Sequence, residues 1–266
     1  MSPRMTFVTL LLFAELALSF TAGMLGGELA IRIGMVAALT LPLLFLLRAP
    51  ADTPRLSFSV RDRRAWLSLL LLPTFVLVTA AISLGWGTLL TALGLTPRGA
   101  TPMPTWTGAI LLDALLPAVC EELLCRGAIY STLRPMGRRT AVLGSALLFG
   151  LMHASLAQLP YAVAAGILLA LLYEWSGSLL FPILFHLGNN LLSLLVHFTL
   201  TPVQFFLLLG AATLLTLPLF FIAARRARIP LPEKESANGT ALREFFLSPV
   251  VLYLAITLLL TVLSVR

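Results

Sequence analysis

Residues 119–127 read VCEELLCRG, which places two glutamates and an arginine inside a long apolar stretch. A charged side chain at the centre of a membrane helix costs roughly 2.5–3.5 kcal/mol on insertion scales, so each such residue requires a partner or a function. The rest of the chain is apolar too: 59% of its 266 residues are hydrophobic, 11% are charged, and the mean hydropathy is +0.99. This composition leaves too little polar surface for a water-soluble globule. It predicts an integral membrane protein in which the three charges mark a site.

Charged residues, glycines and prolines divide the chain into apolar stretches of membrane-spanning length, since a bilayer core of about 30 Å requires about 20 residues of helix. We predict an all-α fold, a polytopic membrane helical bundle of about 8–9 transmembrane helices around a mid-membrane polar cavity. Residues 1–266 are predicted to form a single integral membrane domain. The candidate stretches are 5–25, 32–48, 66–87, 106–133, 140–154, 160–175, 178–199, 203–224 and 246–265.

The arginines form short clusters after the second, fourth and eighth stretches, so that all three clusters fall on one side of the membrane. By the positive-inside rule this side is the cytoplasm, which predicts a cytoplasmic N-terminus and, if the source is bacterial, a multi-pass protein of the cytoplasmic membrane. The net charge of +7 comes from these clusters and forms no continuous basic stripe. No nucleic-acid partner is therefore predicted. The clustered residues are Arg48, Arg55, Arg61, Arg63, Arg64, Arg134, Arg138, Arg139, Arg225, Arg226 and Arg228.

Polar residues interrupt three of the apolar stretches at a similar depth. Counted from the predicted cytoplasmic ends, they lie about 12–14 residues into the membrane, or roughly 18–21 Å at ~1.5 Å per residue, with one of them a turn shallower. Unrelated substitutions would have no reason to share a depth, so the pattern predicts one polar cavity. Its candidate residues are Glu121, Glu122, Arg126, His153, His186 and Asn190.

Helical spacing suggests how these side chains divide the work. Glu122 and Arg126 are four residues apart, share a helix face and are predicted to form an ion pair. Glu121 points about 100° away from Glu122, which leaves its carboxylate freer to accept a proton. His186 and Asn190 are also four apart and present two hydrogen-bond donors on one face, an arrangement suited to a developing oxyanion.

Two prolines precede the key positions by one helical turn. Pro117 lies four residues before Glu121, and Pro182 lies four residues before His186. Proline removes a backbone donor and bends a helix. We therefore expect both helices to bend beside the site and to open space for water or for substrate backbone.

Three short motifs resemble those of a known family. EELLCR at 121–126, FGLMH at 149–153 and HLGNN at 186–190 are similar to the motifs EExxxR, FxxxH and HxxxN of the CPBP intramembrane proteases, also described as Abi-like. That family includes the type II CAAX prenyl endopeptidases and bacteriocin-processing proteins. The motifs occur in the family's order on separate predicted helices. The resemblance covers about 105–200, which we take as the predicted catalytic core.

The resemblance implies a role for each catalytic position. Glu121 would act as the general base, and His153 would help to hold the attacking water. His186 and Asn190 would stabilise the oxyanion. These assignments agree with the helical spacing described above.

The remaining motif residues would support the catalytic groups. The resemblance places Glu122 in the catalytic set as a partner of Arg126, with Phe149 packed beside His153. Members of the family have been described both as metalloproteases and as glutamate-dependent enzymes without a metal. The chain has no HExxH motif, which favours the absence of a cofactor. If zinc is present, His153 and His186 are its candidate ligands.

The sequence therefore predicts an intramembrane endopeptidase that hydrolyses a peptide bond by activated water, without a covalent acyl intermediate. Its partners would be membrane lipid and a membrane-associated or lipid-modified protein or peptide, such as a C-terminal or leader tail. A proton-coupled transporter is an alternative, because proton relays also use intramembrane acids and histidines. A catalytically silent membrane binding protein is a second alternative.

Overall fold

The computed structural model describes residues 2–25, 57–60, 63–95, 105–227 and 239–263, with the helical positions 34, 37 and 40. Every regular element in these ranges is a helix, so the predicted all-α class is confirmed. The helices are α1 (Pro3–Leu25), α2 (Leu67–Ala92), α3 (106–136), α4 (Arg138–Met152), α5 (Leu159–Ser176), α6 (Leu180–Phe198), α7 (Pro202–Arg226), α8 (Gly239–Phe246) and α9 (Val250–Leu263).

Four of these helices, α2, α5, α6 and α7, are long and apolar enough to cross a membrane, and α9 is a shorter apolar helix. The protein is therefore an integral membrane protein. The second predicted stretch, 32–48, lies largely outside the described residues, as do Arg48, Arg55 and Arg61, so the number of spans stays a prediction.

The ninth predicted stretch, 246–265, is wrong at its start. The short helix α8 ends at Phe246, and α9 begins at Val250. Pro249 stands between the two helices and has no backbone N–H to continue a helical ladder. The helix α9 consequently begins later than the apolar run suggests.

Helix ends follow local sequence signals. The hydroxyl of Thr201 accepts a hydrogen bond from the backbone N–H of Gln204, whose side chain bonds back to the Thr201 backbone, and this capping box begins α7 at Pro202. Gly177 ends α5 in the left-handed conformation, with φ of 61°. Gly137, at φ of 119°, separates α3 from α4.

Small residues bring α4 and α5 into close contact. A Cβ atom built on Gly166 would lie 2.9 Å from Cα of Ala146, and one built on Gly150 would lie 2.3 Å from a methyl carbon of Val163. Only glycine fits at such backbone distances, and close approach of this kind stabilises helix pairs in membranes. The two helices therefore form a tight pair behind the site.

The helix α3 contains two wide π-helical segments, at Ala109–Leu115 and Leu123–Tyr130. Pro117 follows the first segment, so a distortion is present where the sequence predicted one. Such segments occur often at functional sites. All residues of the second segment are buried, which places the centre of α3 in the core of the bundle.

The predicted bend at Pro182 is wrong. Because α6 begins at Leu180, Pro182 lies in its first turn. The N–H groups of a first turn have no intrahelical partner, so proline costs nothing there. The residue helps to start α6 and leaves the helix below His186 regular.

Exposed aliphatic side chains cover the outer helices. They lie mainly on α7 and α9, whereas most residues along α4 are buried. Such a surface suits contact with lipid tails. Examples are Val203, Leu207, Leu214, Leu215, Leu252, Leu259 and Leu263.

Candidate active site

Glu122 is completely buried on α3 and joins two helices. Its Oε1 atom accepts a hydrogen bond from Nη1 of Arg126 at 2.9 Å and another from Nδ1 of His186 at 3.0 Å. The ion pair predicted from the four-residue spacing is therefore present. The contact with His186 connects α3 to α6 across a separation of 64 residues.

Arg126, also completely buried, connects α3 to the pair formed by α4 and α5. Its Nη2 atom donates to the backbone carbonyl of Gly166 at 2.9 Å, and its guanidinium carbon lies 4.7 Å from the centre of the Phe149 ring. A cation over an aromatic face gains electrostatic attraction, particularly away from water. We call Glu122 and Arg126 the buried ion pair. Its contacts hold four helices in one arrangement.

Phe149 lies between the buried ion pair and both histidines. Its ring makes edge contacts with His153, at 5.0 Å between centres, and with His186, at 5.7 Å. The predicted packing of Phe149 beside His153 is thus present. The phenyl ring fixes the planes of both imidazoles by contact.

Glu121 also faces the histidines, at the opposite ring nitrogen of His186 from Glu122. Its Oε2 atom lies 3.8 Å from Nε2 of His153 and 3.9 Å from Nε2 of His186. Its side chain retains 27% exposure, whereas that of Glu122 retains none. We call Glu121, His153 and His186 the acceptor triangle.

The hydrogen bonds made by Nδ1 of each imidazole determine whether Nε2 can accept a hydrogen bond in the acceptor triangle. Nδ1 of His153 lies 2.7 Å from the backbone carbonyl of Phe149, and Nδ1 of His186 lies 3.0 Å from the carboxylate of Glu122. Both partners are acceptors, so each Nδ1 carries a proton, and Nε2 has a lone pair when the ring is in its neutral form. Two lone pairs and a carboxylate oxygen therefore converge. Oε2 of Glu121 is buried without a hydrogen-bond partner in the described part of the chain.

Distances of 3.8 and 3.9 Å between Glu121 and the histidines are too long for direct hydrogen bonds. They suit groups that share a bridging water, which brings two donors to a set of acceptors. Between residues 2 and 263, as far as they are described, no group of three or more His, Cys, Asp or Glu side chains is arranged to hold a metal ion.

Asn190 lies one helical turn beyond His186 and faces a different part of α3. Its Nδ2 atom is 3.5 Å from the backbone carbonyl of Ala114, and its Oδ1 atom is 3.4 Å from Nδ2 of Asn189. Ala114 belongs to the first π segment. The carboxamide therefore adjoins the acceptor triangle without being part of it.

A cavity of about 460 Å³ lies beside Asn190, between α2, α3, α5, α6 and the start of α7. Its wall combines apolar groups with amide, hydroxyl and carboxyl side chains, but of the six residues predicted to share one polar cavity only Asn190 lines it. Its position relative to a membrane stays a prediction. The polar lining residues are Thr79, Ser83, Asp113, Tyr161, Asn189, Asn190 and Ser193.

The structure thus brings six of the seven predicted residues into one connected cluster and places the seventh, Asn190, next to it. Sequence reasoning missed three contributors. The Gly166 contribution is a backbone carbonyl, which leaves no side-chain signal. Thr79 and Asn189 join the site through a hydrogen bond between α2 and α6. Of these two residues, only Asn189 carried a sequence signal, because an amide is unusual in an apolar stretch.

The family match covers the part of the chain that carries this site. Residues 103–192 match the family model described as Type II CAAX prenyl endopeptidase Rce1-like, which confirms the resemblance predicted from the three motifs. The matched range contains every motif residue from Glu121 to Asn190. No curated protein and no solved structure matches the chain. The family match supports protease activity in a membrane, on a peptide or protein substrate.

Proposed function

We propose that the chain is an intramembrane endopeptidase that hydrolyses a peptide bond with a water activated by Glu121 and His153. The observation that carries the proposal is the acceptor triangle, in which Oε2 of Glu121 lies 3.8 Å from Nε2 of His153 and 3.9 Å from Nε2 of His186. A water between them would donate its hydrogens to two acceptors and turn a lone pair towards a substrate carbonyl. Orientation of this kind supplies a large part of enzymatic rate enhancement.

In the proposed reaction, the water oxygen attacks the carbonyl carbon while Glu121 takes a proton from the water. The carbonyl π electrons move to oxygen and form the tetrahedral oxyanion. Glu121 is suited to this role because its carboxylate is partly exposed and has no arginine partner among the described residues. A general base placed in this way typically contributes about 10²–10⁴-fold to the rate.

His186 and Asn190 are proposed to stabilise the oxyanion. Nδ1 of His186 already donates to Glu122, so Nε2 can donate only when the ring is doubly protonated. Proton transfer from Glu121, once the two groups close from 3.9 Å to hydrogen-bond distance, would produce that form as the oxyanion develops. The amide group of Asn190 would supply the second donor.

Collapse of the tetrahedral intermediate breaks the C–N bond. The leaving nitrogen takes its proton from Glu121 or His186 and departs as an amine. The other product is a carboxylic acid, which then loses the second proton of the attacking water to become a carboxylate. The buried ion pair has no direct part in these steps. Its proposed role is to hold His186 and the backbone of α3 in position.

We propose a lipid-modified or otherwise membrane-anchored peptide as the substrate. The polar cavity beside Asn190 offers amide and hydroxyl groups to an extended peptide backbone. A second cavity of about 530 Å³, between α2, α5, α6 and α7, is lined mainly by apolar side chains, among them Leu168, Leu172, Phe185 and Phe220. Phe185 lies on α6, the helix that also carries His186 and Asn190.

The test is cleavage of internally quenched peptides by the purified chain in detergent or liposomes. The panel contains a peptide with a farnesylated Cys–aliphatic–aliphatic–X tail, the same peptide without the lipid, and an unrelated apolar peptide. We expect the wild type to cleave the lipidated peptide, and Glu121→Ala and His186→Ala to abolish cleavage. Cleavage that persists in either variant would refute the proposal.

The same assay separates the glutamate mechanism from zinc dependence. With 1,10-phenanthroline added, the proposed mechanism predicts unchanged turnover. Loss of turnover that added zinc restores would assign His153 and His186 to a metal instead.

A further inference from the structure

We infer that Thr79 and Asn189 are positioning residues that orient the carboxamide of Asn190, an inference that rests on the proposed function. The hydroxyl of Thr79 on α2 donates to Oδ1 of Asn189 at 2.9 Å. Nδ2 of Asn189 in turn lies 3.4 Å from Oδ1 of Asn190, whose Nδ2 faces the carbonyl of Ala114 at 3.5 Å. The chain of contacts runs from α2 through α6 to α3.

The directions of these contacts follow from the carbonyl of Ala114, which can only accept. The atom of Asn190 that faces this carbonyl is therefore the NH₂ group. Oδ1 of Asn190 turns to Asn189 and requires a donor there, which leaves Oδ1 of Asn189 to accept from the hydroxyl of Thr79. The carbonyls of Phe75 and Val76 compete for the single proton of this hydroxyl. When Thr79 donates to Asn189, it stabilises the amide orientation of Asn189 and, through it, that of Asn190.

The selected orientation is the one that hydrolysis needs. A flipped Asn190 would present its carbonyl oxygen, an acceptor, towards a developing oxyanion and would repel it. In the observed orientation the second N–H of the amide is available to the polar cavity that Asn189 and Asn190 line. The two amide contacts are long, which leaves Asn190 room to turn towards a substrate.

Thr79 is held rigidly enough for this role. Its side chain is 2% exposed, and its hydroxyl also lies 3.1 Å from the carbonyls of Phe75 and Val76 on its own helix. One turn earlier on each helix, the rings of Phe75 and Phe185 meet edge to face at 5.6 Å. These contacts fix the register of α2 against α6.

Gly188 shows that α2 packs closely against α6. A Cβ atom on this glycine would lie 2.9 Å from a methyl carbon of Leu72, and at about 100° per residue the contact is on the side of α6 opposite to His186 and Asn190. The packing fixes α2 against α6, while Thr79 makes the contact with Asn189. Thr79 lies outside the family-matched range 103–192.

The test measures kcat, KM and thermal unfolding of the full-length chain in the peptide assay described above. Thr79→Val keeps the shape of the side chain and removes the hydroxyl, whereas Thr79→Ser keeps the hydroxyl. Thr88→Val is the matched control, because Thr88 on the same helix bonds only to the carbonyl of Leu84 among the described residues. Asn189→Leu removes the intermediate amide.

We expect Thr79→Val and Asn189→Leu to lower kcat by about 10-fold to 100-fold with KM unchanged, since a misaligned oxyanion donor acts on the transition state. Thr79→Ser and Thr88→Val are expected to retain the kcat of the wild type. If Thr79 merely ties α2 to α6, Thr79→Val lowers the unfolding temperature and leaves kcat intact, which overturns the inference.

Failure of the proposed function gives a different pattern. A wild type that cleaves no peptide in the panel, or a Glu121→Gln variant that cleaves as fast as the wild type, contradicts the endopeptidase assignment and the positioning role with it. An active wild type and an inactive Glu121→Gln beside a fully active Thr79→Val contradict the positioning role alone.

Discussion

The buried ion pair and the acceptor triangle are built from consecutive glutamates, yet their surroundings are opposite. Glu122 has no exposed side-chain surface and accepts two hydrogen bonds from charged or ring nitrogens, whereas Glu121 is partly exposed and lies 3.8 Å or more from its nearest histidine nitrogens. Oε1 of Glu122 is stabilised by the two donors, while Oε2 of the same carboxylate is buried without a hydrogen-bond partner among the described residues. A carboxylate that faces other acceptors can take up a proton. Adjacent residues of α3 are therefore suited to different roles, Glu122 to stabilising the fold and Glu121 to accepting a proton.

This difference can be tested first at Glu121, where we expect the largest effect. Glu121→Gln removes the proton acceptor and should lower kcat by about 10²–10⁴-fold. The unfolding temperature should stay unchanged, because Oε2 of Glu121 has no hydrogen-bond partner in the described ranges. The measurement is peptide cleavage beside calorimetry or a fluorescence melt.

The matched control for that variant is Glu244→Gln on α8. It makes the same chemical change at an acid whose carboxylate bonds to the backbone of Ser2, away from the site. Its turnover should equal that of the wild type. Equal losses in both variants would mean that Glu121 is not the base.

At the buried ion pair we expect the main effect on the free energy of unfolding, whereas at Glu121 we expect it on turnover. Arg126→Met leaves the charge of Glu122 buried with a single partner, His186, and should lower the free energy of unfolding by about 3–5 kcal/mol. The measurement is unfolding of the purified variant in detergent.

A double variant sharpens this prediction. Glu122→Gln with Arg126→Met removes both charges and should recover most of the lost stability, because replacing a whole buried pair is far less costly than breaking it. Turnover should stay low, since His186 loses its carboxylate partner. A double variant as unstable as Arg126→Met would contradict the account of the ion pair.

A smaller effect is expected behind the buried ion pair, at Gly166. Gly166→Ala would bring a methyl group to 2.9 Å from Cα of Ala146 and separate α4 from α5, together with the carbonyl that accepts from Arg126. Overpacking of this kind costs about 1–3 kcal/mol. Gly210→Ala on α7 has open space around the new methyl group and should not destabilise the fold. Equal melting temperatures for the two variants would show that the close approach is unimportant.

The smallest effect is expected at the two cysteines, which flank the glutamates in sequence. Cys120 and Cys125 are free and buried, and the thiol of Cys125 lies 3.7 Å from the sulfur of Met152. Changing both to Ala should leave turnover unchanged, because neither thiol has a part in water attack. Complete loss of cleavage with the fold intact would indicate a thiol nucleophile.

The sequence predicts contacts within one helix better than contacts between helices. The four-residue spacing identified the pair of Glu122 and Arg126, since helical geometry fixes which side chains share a face. The hydrogen bond from His186 to Glu122 joins residues 64 positions apart, and no local pattern encodes such a contact. Family motifs brought the two residues into one site without specifying which atoms meet.

Some structural features left no signal in the sequence, and the signals of two prolines were interpreted wrongly. Thr79 resembles every other threonine in an apolar helix, and its role depends on how α2 packs. Pro182 carried a proline signal, but its effect depends on where the helix begins, and boundaries are the least certain part of a sequence-based prediction. Pro249 marked a break that the apolar run concealed.

An experimental structure of the Glu121→Gln variant with a bound lipidated peptide would test the central claim most directly. The account predicts that the scissile carbonyl carbon lies within about 3.5 Å of a water held by His153 and by the substituted side chain at position 121, a near-attack geometry. The carbonyl oxygen should be directed towards Nε2 of His186 and Nδ2 of Asn190. A peptide bound elsewhere, or with its carbonyl out of reach of both groups, would contradict the account.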